Sequence, residues 1–204
     1  MFDSIYHAMQ SGTTFGSFLR VVPITLLVGI GYAVYRYIKV KKQSFSVNWF
    51  SEIMRLLFVC YLTGLINLVL VPSSLWGGIW YSLRTGTVDI HLDRPFSGGI
   101  NLVPTLVQCL TGEITIGSWV KEMLTGNLLM FVPMGFFLPF VSERVNNHNF
   151  LKIAVIIPVI IEVVQIFIGR SFDVDDLLLN FVGIVIGYYI AVGIKVLAAK
   201  RSKV

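Results

Sequence analysis

Long apolar runs separated by short polar connections dominate the chain. Five of these runs approach the roughly 20 residues that an α-helix needs to cross a bilayer. They are residues 18–38, 50–71, 127–142, 150–168 and 177–198. The third run is short and contains Pro133 and Pro139, so we expect it to be kinked or partly re-entrant. The pattern predicts an all-α membrane protein with five transmembrane helices.

The connection 73–126 is the longest, and its aromatic residues are typical of a membrane interface. They include Trp76, Trp80, Tyr81 and Trp119. Apolar and polar residues alternate over 87–93, which predicts a short strand or one arm of a hairpin. Residues 113–125 are predicted to form a short interfacial helix that lies on the membrane.

The composition agrees with this pattern, because 55% of the 204 residues are hydrophobic and 13% are charged, against roughly 25% charged in a soluble domain. So few charges cannot cover a water-soluble globule, and the excess apolar surface must face lipid. A soluble enzyme and a disordered chain are excluded, and two cysteines are too few for a disulfide-stapled secreted module. We expect a single integral membrane domain over residues 1–204.

Charged residues divide unevenly between the two ends of the predicted spans. Eleven basic and two acidic residues lie on the side that holds connections 39–49 and 143–149, and five basic and nine acidic residues lie on the other. Basic residues concentrate on the cytoplasmic side of a membrane, so the N-terminus is predicted outside, the C-terminus inside and residues 73–126 extracellular. The net charge of +5 reflects this topology and contact with membrane lipids, and we expect no nucleic-acid partner.

Polar side chains inside the apolar spans are few, and their positions converge. Glu162 and Gln165 stand three residues apart, on one face of the fourth span near its outer end. The following turn and the outer starts of the third and fifth spans add Asn127, Arg170, Asp173, Asp175, Asp176 and Asn180. Ionisable groups at membrane depth are costly and usually face a protein interior or a watery cavity. We therefore predict one polar cluster just beneath the outer surface.

The cluster is compatible with several kinds of chemistry. Arg170 is the nearest candidate partner for Glu162, since a guanidinium can hold a carboxylate through two hydrogen bonds. The remaining carboxylates can bind a cation, hold a proton for acid catalysis, or recruit Arg94 or a basic ligand. We predict no metal ion and no cofactor, because His91 has no second His or Cys at ligand spacing.

Structural roles account for some of the same residues. Asp175 or Asp176 is suited to cap the fifth helix, Asn127 to cap the third, and Gly169 to end the fourth. A stripe of small residues on the fifth span predicts close packing against another helix: Gly183, Gly187 and Ala191. At this point the capping and ligand-binding interpretations both remain open.

Three segments in this order resemble the VanZ-like family of bacterial membrane proteins. They are Asn101-Leu-Val-Pro104, then Asn127-Leu-Leu-Met-Phe-Val-Pro-Met-Gly135, and then Glu162-Val-Val-Gln165 followed by Gly169-Arg-Ser-Phe-Asp-Val-Asp-Asp-Leu-Leu-Leu-Asn180-Phe-Val-Gly183. The resemblance covers about residues 50–195. It implies that the family's characteristic positions are Asn101, Pro104, Asn127, Pro133, Gly135, Glu162, Gln165, Arg170, Asp173, Asp176, Asn180 and Gly183.

The resemblance implies a multi-pass protein of the bacterial plasma membrane that confers resistance to teicoplanin-type glycopeptides, which carry a lipid tail. One hypothesis is a binding or masking protein whose polar cluster, including Asn101, engages a lipid-linked cell-wall precursor, an envelope polymer or the lipoglycopeptide. The alternative is an intramembrane enzyme that modifies such a lipid or precursor, with Glu162 or Asp176 as general acid or base and Arg170 as the anion holder. An oligomer is compatible with either hypothesis.

Overall fold

A computed structural model describes residues 14–42, 47–88, 94–113, 115, 117–146 and 149–201. Its elements in chain order are α1 (Thr14–Lys41), α2 (Trp49–Leu70), α3 (Ser73–Thr85), β1 (Ile100–Asn101), α4 (Thr105–Leu110), α5 (Ser118–Val141), α6 (Phe150–Phe167), β2 (Phe172–Asp173) and α7 (Val174–Arg201). Among the described residues, α1, α2, α5, α6 and α7 contain stretches long and apolar enough to cross a membrane. The prediction of five membrane-spanning helices is confirmed.

The described residues form two compact units, one within residues 1–95 and the other within 96–204. In both units, large apolar side chains point away from the protein; Leu27, Tyr37 and Ile160 are 67%, 64% and 56% exposed. Exposure of such surfaces to water is unfavourable in free energy, whereas lipid chains solvate them. The exposed apolar faces therefore agree with a membrane location. The sidedness of the spans and the single domain over 1–204 stay predictions.

The third membrane helix is longer than its apolar core suggests. Helix α5 runs without interruption from Ser118 to Val141, through both prolines, so the expectation of a partly re-entrant span is wrong. The separate interfacial helix predicted over 113–125 is also wrong, because residues from Ser118 onward belong to α5 itself. Lys121 and Glu122 interrupt the apolar pattern, which placed the start of the span after them. Both residues nevertheless belong to the helix, with their side chains exposed near its beginning. Charged residues are good helix formers, so hydropathy locates the span but not the start of its helix.

The described part of the long connection contains the helices α3 and α4 and the strand β1. Residues 89–93 of the predicted strand lie outside the described residues, and Thr87 and Val88 belong to no strand. Helix α3 carries Trp76 and Tyr81 and ends at Thr85. Gly86 caps it with a left-handed φ of 73°, and the Gly86 N–H donates to Ser82 O at 2.9 Å. Whether α3 lies at the membrane interface remains a prediction that its aromatic residues favour.

Helices α5 and α7 touch through their backbones. A Cβ atom on Gly135, Gly183 or Gly187 would overlap a backbone carbonyl oxygen of the facing helix, at Ile184, Leu128 and Val132 respectively. Ala191 continues the stripe on α7 and is fully buried. The close helix packing predicted from the small residues is therefore confirmed, and it is the contact by which small residues hold membrane helices together.

Helix α6 joins this pair through α7. The ring of Phe150 stacks on Tyr188, with centroids 3.6 Å apart and planes 10° from parallel. Phe150 and Ala154 on α6 are both buried. Side chains from α5, the end of α6 and the start of α7 meet at one end of this unit, where the polar residues of the fourth and fifth predicted spans lie.

Candidate functional site

Helix α6 ends in a Schellman motif that shapes the acidic turn. Gly169 has a φ of 81° and donates its N–H to Ile166 O at 3.2 Å, while Arg170 N–H donates to Gln165 O at 2.9 Å. This pair of bonds satisfies two of the last carbonyl groups of the helix and favours glycine at the left-handed position. The prediction that Gly169 ends the fourth membrane helix is confirmed.

A two-stranded parallel sheet attaches the residues before α4 to this turn. Ile100 pairs with Phe172 and Asn101 with Asp173. Phe172 N–H donates to Gly99 O at 2.9 Å, and Gly98 lies so close to the backbone of Arg170 that a Cβ atom would overlap it. The pairing therefore requires a glycine at position 98, and it brings Asn101 to the acidic turn across some seventy residues of sequence.

Asp173 caps helix α7. Its Oδ1 accepts from Asp175 N–H at 2.9 Å, and its Oδ2 accepts from Asn101 Nδ2 at 3.2 Å. A carboxylate immediately before the first helical residue satisfies an unpaired amide and interacts favourably with the helix dipole. The prediction that Asp175 or Asp176 caps this helix is wrong, because both residues lie in its first turn.

We expect Asp173→Ala to destabilise the protein. The change removes the cap of α7 and the partner of Asn101, which together should cost about 1–2 kcal/mol. Thermal unfolding in detergent should show the loss, with Glu143→Ala as the control because Glu143 is exposed in the connection after α5. Equal stability of the two variants would contradict the capping role.

Asp175 accepts a hydrogen bond from the first residue of another helix, α4. Its Oδ2 accepts from the backbone N–H of Thr105 at 2.7 Å, and both residues are 5% exposed. Thr105 is the first residue of α4, so Asp175 satisfies an amide that the helix itself leaves unpaired. Thr105 was not predictable from the sequence, because it contributes only a backbone N–H, which every residue except proline possesses. The one signal was its position directly after the Asn101–Pro104 segment.

Asp176 connects α7 to α5. Asn127 Nδ2 donates a hydrogen bond to Asp176 Oδ1. Asn127 lies well inside α5, so the interpretation of Asn127 as a helix cap is wrong. The amide instead pairs with a carboxylate on the neighbouring helix, where removing one partner would leave the other unsatisfied.

Glu162 is the most deeply buried charged residue described. Its side chain is 0% exposed and its Oε2 accepts from Asp173 N–H at 3.2 Å. Its Oε1 accepts no hydrogen bond from any described residue. The predicted two-point pairing with Arg170 is therefore wrong, and the Arg170 side chain is exposed.

Two further predicted residues lie buried at this end of the unit. Gln165, one turn after Glu162 on α6, is 3% exposed. Asn180 on α7 is also 3% exposed, and its Oδ1 has no hydrogen-bond donor among the described residues. Two buried oxygen atoms, one on Glu162 and one on Asn180, are thus left to accept hydrogen bonds.

The aspartates are occupied as structural acceptors. Asp173 and Asp175 receive backbone amides, and Asp176 receives the Asn127 amide. Over the described part of the chain, no three His, Cys, Asp or Glu side chains converge as a metal-binding group. Glu162 Oε1 and Asn180 Oδ1, in contrast, accept no hydrogen bond from the described residues.

The sequence of the chain matches the model of one known protein family. The family model VanZ/LLP1 matches residues 58–197, more than two thirds of the chain. This chain belongs to the VanZ/LLP1 family. No curated protein and no solved structure matches it.

The VanZ/LLP1 match includes every residue of the polar cluster, from Asn101 to Asn180. It also includes the contacting glycines of α5 and α7, whereas α1 and the first part of α2 precede it. The resemblance predicted from the three segments is confirmed, and with five membrane-spanning helices the chain is a multi-pass VanZ/LLP1 membrane protein. The ligand-binding role of the cluster stays a prediction.

Proposed function

We propose that this protein protects a bacterium against teicoplanin-type lipoglycopeptides by binding a membrane-anchored ligand at the polar cluster. The ligand is a lipid-linked cell-wall precursor, an envelope polymer or the drug itself, and its binding limits access of the drug to the wall precursor. The observation that carries the proposal is that two buried oxygens, Glu162 Oε1 and Asn180 Oδ1, accept no hydrogen bond from the residues that the structure describes.

Such oxygens are costly without a ligand. A buried acceptor with no donor costs about 1–3 kcal/mol, and more when the group is charged. Proteins retain such costs mainly at functional sites. A ligand that brings hydroxyl, amide or ammonium groups would remove the cost on binding, so the site favours ligands rich in donors.

The chemistry of the proposed ligands fits this requirement. Sugar hydroxyls, peptide amides and amino groups belong both to lipid-linked wall precursors and to lipoglycopeptides. A lipid tail would concentrate either ligand in the membrane, at the depth of the cluster. The predicted orientation, with the N-terminus outside, would turn the cluster toward the outer leaflet where these ligands occur.

The intramembrane-enzyme alternative has less support. Asp176 accepts a hydrogen bond from the Asn127 amide and Glu162 accepts one from the Asp173 backbone N–H, so each carboxylate already has a structural partner. The family match supplies no reaction. A binding protein needs only the acceptors and the apolar surroundings that the cluster has.

We expect expression of the full chain in a susceptible bacterium to raise the minimal inhibitory concentration of teicoplanin much more than that of vancomycin. The reason is that vancomycin lacks the lipid tail that would bring it to the membrane. Broth dilution measures both values, with an empty vector and an immunoblot of the membrane fraction as controls. Equal protection against the two drugs, or no protection at verified abundance, would contradict the proposal.

A further inference from the structure

The first unit contains a narrow cleft between α1 and α2. Its volume is about 300 Å³, at the lower end of the range typical of ligand pockets. Its walls are mostly apolar and include Tyr32, Ala33 and Val40 from α1 and Ile53 and Leu56 from α2. Every lining residue precedes the segment that matches the VanZ/LLP1 family, so the cleft is a separate feature of this chain.

Two arginines bind one glutamate beside this cleft. Arg36 and Glu52 line the cleft, whereas Arg55 is not a lining residue and adjoins the cleft through its bond to Glu52. Arg36 holds the Glu52 carboxylate from two nitrogens, with Nε 2.6 Å from Oε2 and Nη2 bonded to Oε1. Arg55 adds a third bond, from Nη1 to Glu52 Oε1 at 2.7 Å. The group keeps a net positive charge. Arg55 is its accessible member, since its side chain is 40% exposed against 21% for Arg36 and 14% for Glu52.

The depth of this charge suits a lipid headgroup. Arg36 lies five residues before the end of α1 and Glu52 three residues after the start of α2. At a rise of 1.5 Å per residue, both lie within about 8 Å of the helix ends. From Val40 to Tyr32 the cleft extends about 12 Å along α1, toward the apolar middle of the helix. Trp49, which also lines it, is a residue typical of the membrane interface.

We propose that this cleft binds one phospholipid with an anionic headgroup. One of its two acyl chains lies in the apolar part of the cleft, along Ala33 and Leu56, and its phosphate lies against Arg55. The apolar walls account for the chain and the surplus positive charge for the acidic headgroup. The predicted orientation puts this end in the cytoplasmic leaflet, where anionic lipids concentrate.

Native mass spectrometry of the purified full chain tests the proposal. The probe is an equimolar mixture of phosphatidylglycerol and phosphatidylcholine with identical acyl chains. We expect the unaltered protein to retain about five times more of the anionic lipid, and Arg55→Gln to bring the ratio close to one, because one basic residue near the surface has an effect of this size. Lys41→Gln is the matched control, since Lys41 is a basic residue exposed at the end of α1 that forms no ion pair with Glu52 among the described residues.

A second pair of variants tests the position of the acyl chain. Ala33→Phe fills the cleft and should reduce retention of both lipids, whereas Val34→Phe adds the same ring to an exposed position outside it and should retain them normally. If Ala33→Phe aggregates in gel filtration, Ala33→Leu narrows the cleft with less bulk and should act in the same direction. Equal retention of the two lipids by the unaltered protein would overturn the proposal. So would a preference that survives Arg55→Gln, or equal behaviour of the cleft-filling variant and Val34→Phe.

Discussion

The variant Glu162→Leu should reach the membrane in folded form and give no protection against teicoplanin. Leucine removes the unpaired oxygen that the proposed ligand engages, so binding loses its most buried contact. Stability should change little, because the variant removes a costly buried carboxylate while leaving the Asp173 amide without its acceptor. Drug susceptibility and thermal unfolding of the purified protein together measure the two effects.

Matched variants separate binding from catalysis. Glu143→Leu makes the same substitution at an exposed glutamate and should protect fully. In Glu162→Gln the amide oxygen can still accept the Asp173 N–H, but an NH₂ group replaces the unpaired oxygen, so a binding protein should lose protection only in part. An acid–base enzyme would lose about 10²–10⁴ in rate from the same change and protect no better than the empty vector. Full protection by Glu162→Leu at normal abundance would show that Glu162 does not take part in binding the ligand.

Gly187→Ala should destabilise the protein more than any other methyl-sized change on α7. The added Cβ would overlap the carbonyl oxygen of Val132, and a backbone atom cannot rotate away as a side chain can. Gly135 and Gly183 hold the same two helices in contact on either side, so local separation of the helices is costly. We expect a loss of about 3 kcal/mol, at the upper end of overpacking effects, which lowers the melting temperature by roughly 6–12 °C.

The same helix supplies the control for this prediction. Gly193 has open space where its Cβ would be, so Gly193→Ala should leave the melting temperature unchanged or raise it slightly through better helix propensity. Both variants are compared by thermal unfolding in one detergent. If Gly187→Ala and Gly193→Ala have the same melting temperature, the backbone contact between α5 and α7 does not contribute to stability.

Local features of the chain were predictable because their causes are local. The apolar runs predicted the five membrane helices, Gly169 predicted the end of α6, and the small-residue stripe predicted the α5–α7 contact. Helix α5 shows the limit of this reasoning. Its polar first turns do not belong to the apolar run, yet the backbone hydrogen bonds of the helix extend through them.

The membership of the polar cluster was also readable from sequence, but the partners within it were not. The carboxylates Asp173, Asp175 and Asp176 look equivalent along the chain, and the expected capping residue among them was the wrong one. The partners of Asp173 and Asp175 depend on β1, which brings Asn101 and the Thr105 amide to the turn, and the partner of Asp176 comes from α5. Backbone amides occur at almost every residue, so no sequence pattern could predict from which amide Asp175 accepts its hydrogen bond.

Hydropathy, small-residue spacing and turn glycines act over a few residues, and by themselves they determined the five membrane-spanning helices, the end of α6 and the contact between α5 and α7. Only the tertiary structure decided which carboxylate oxygens accept internal hydrogen bonds and which oxygen of Glu162 accepts none from the described residues. The physical reason is that a hydrogen bond depends on the position and direction of both partners, and for these residues the partners come from segments far apart in the chain.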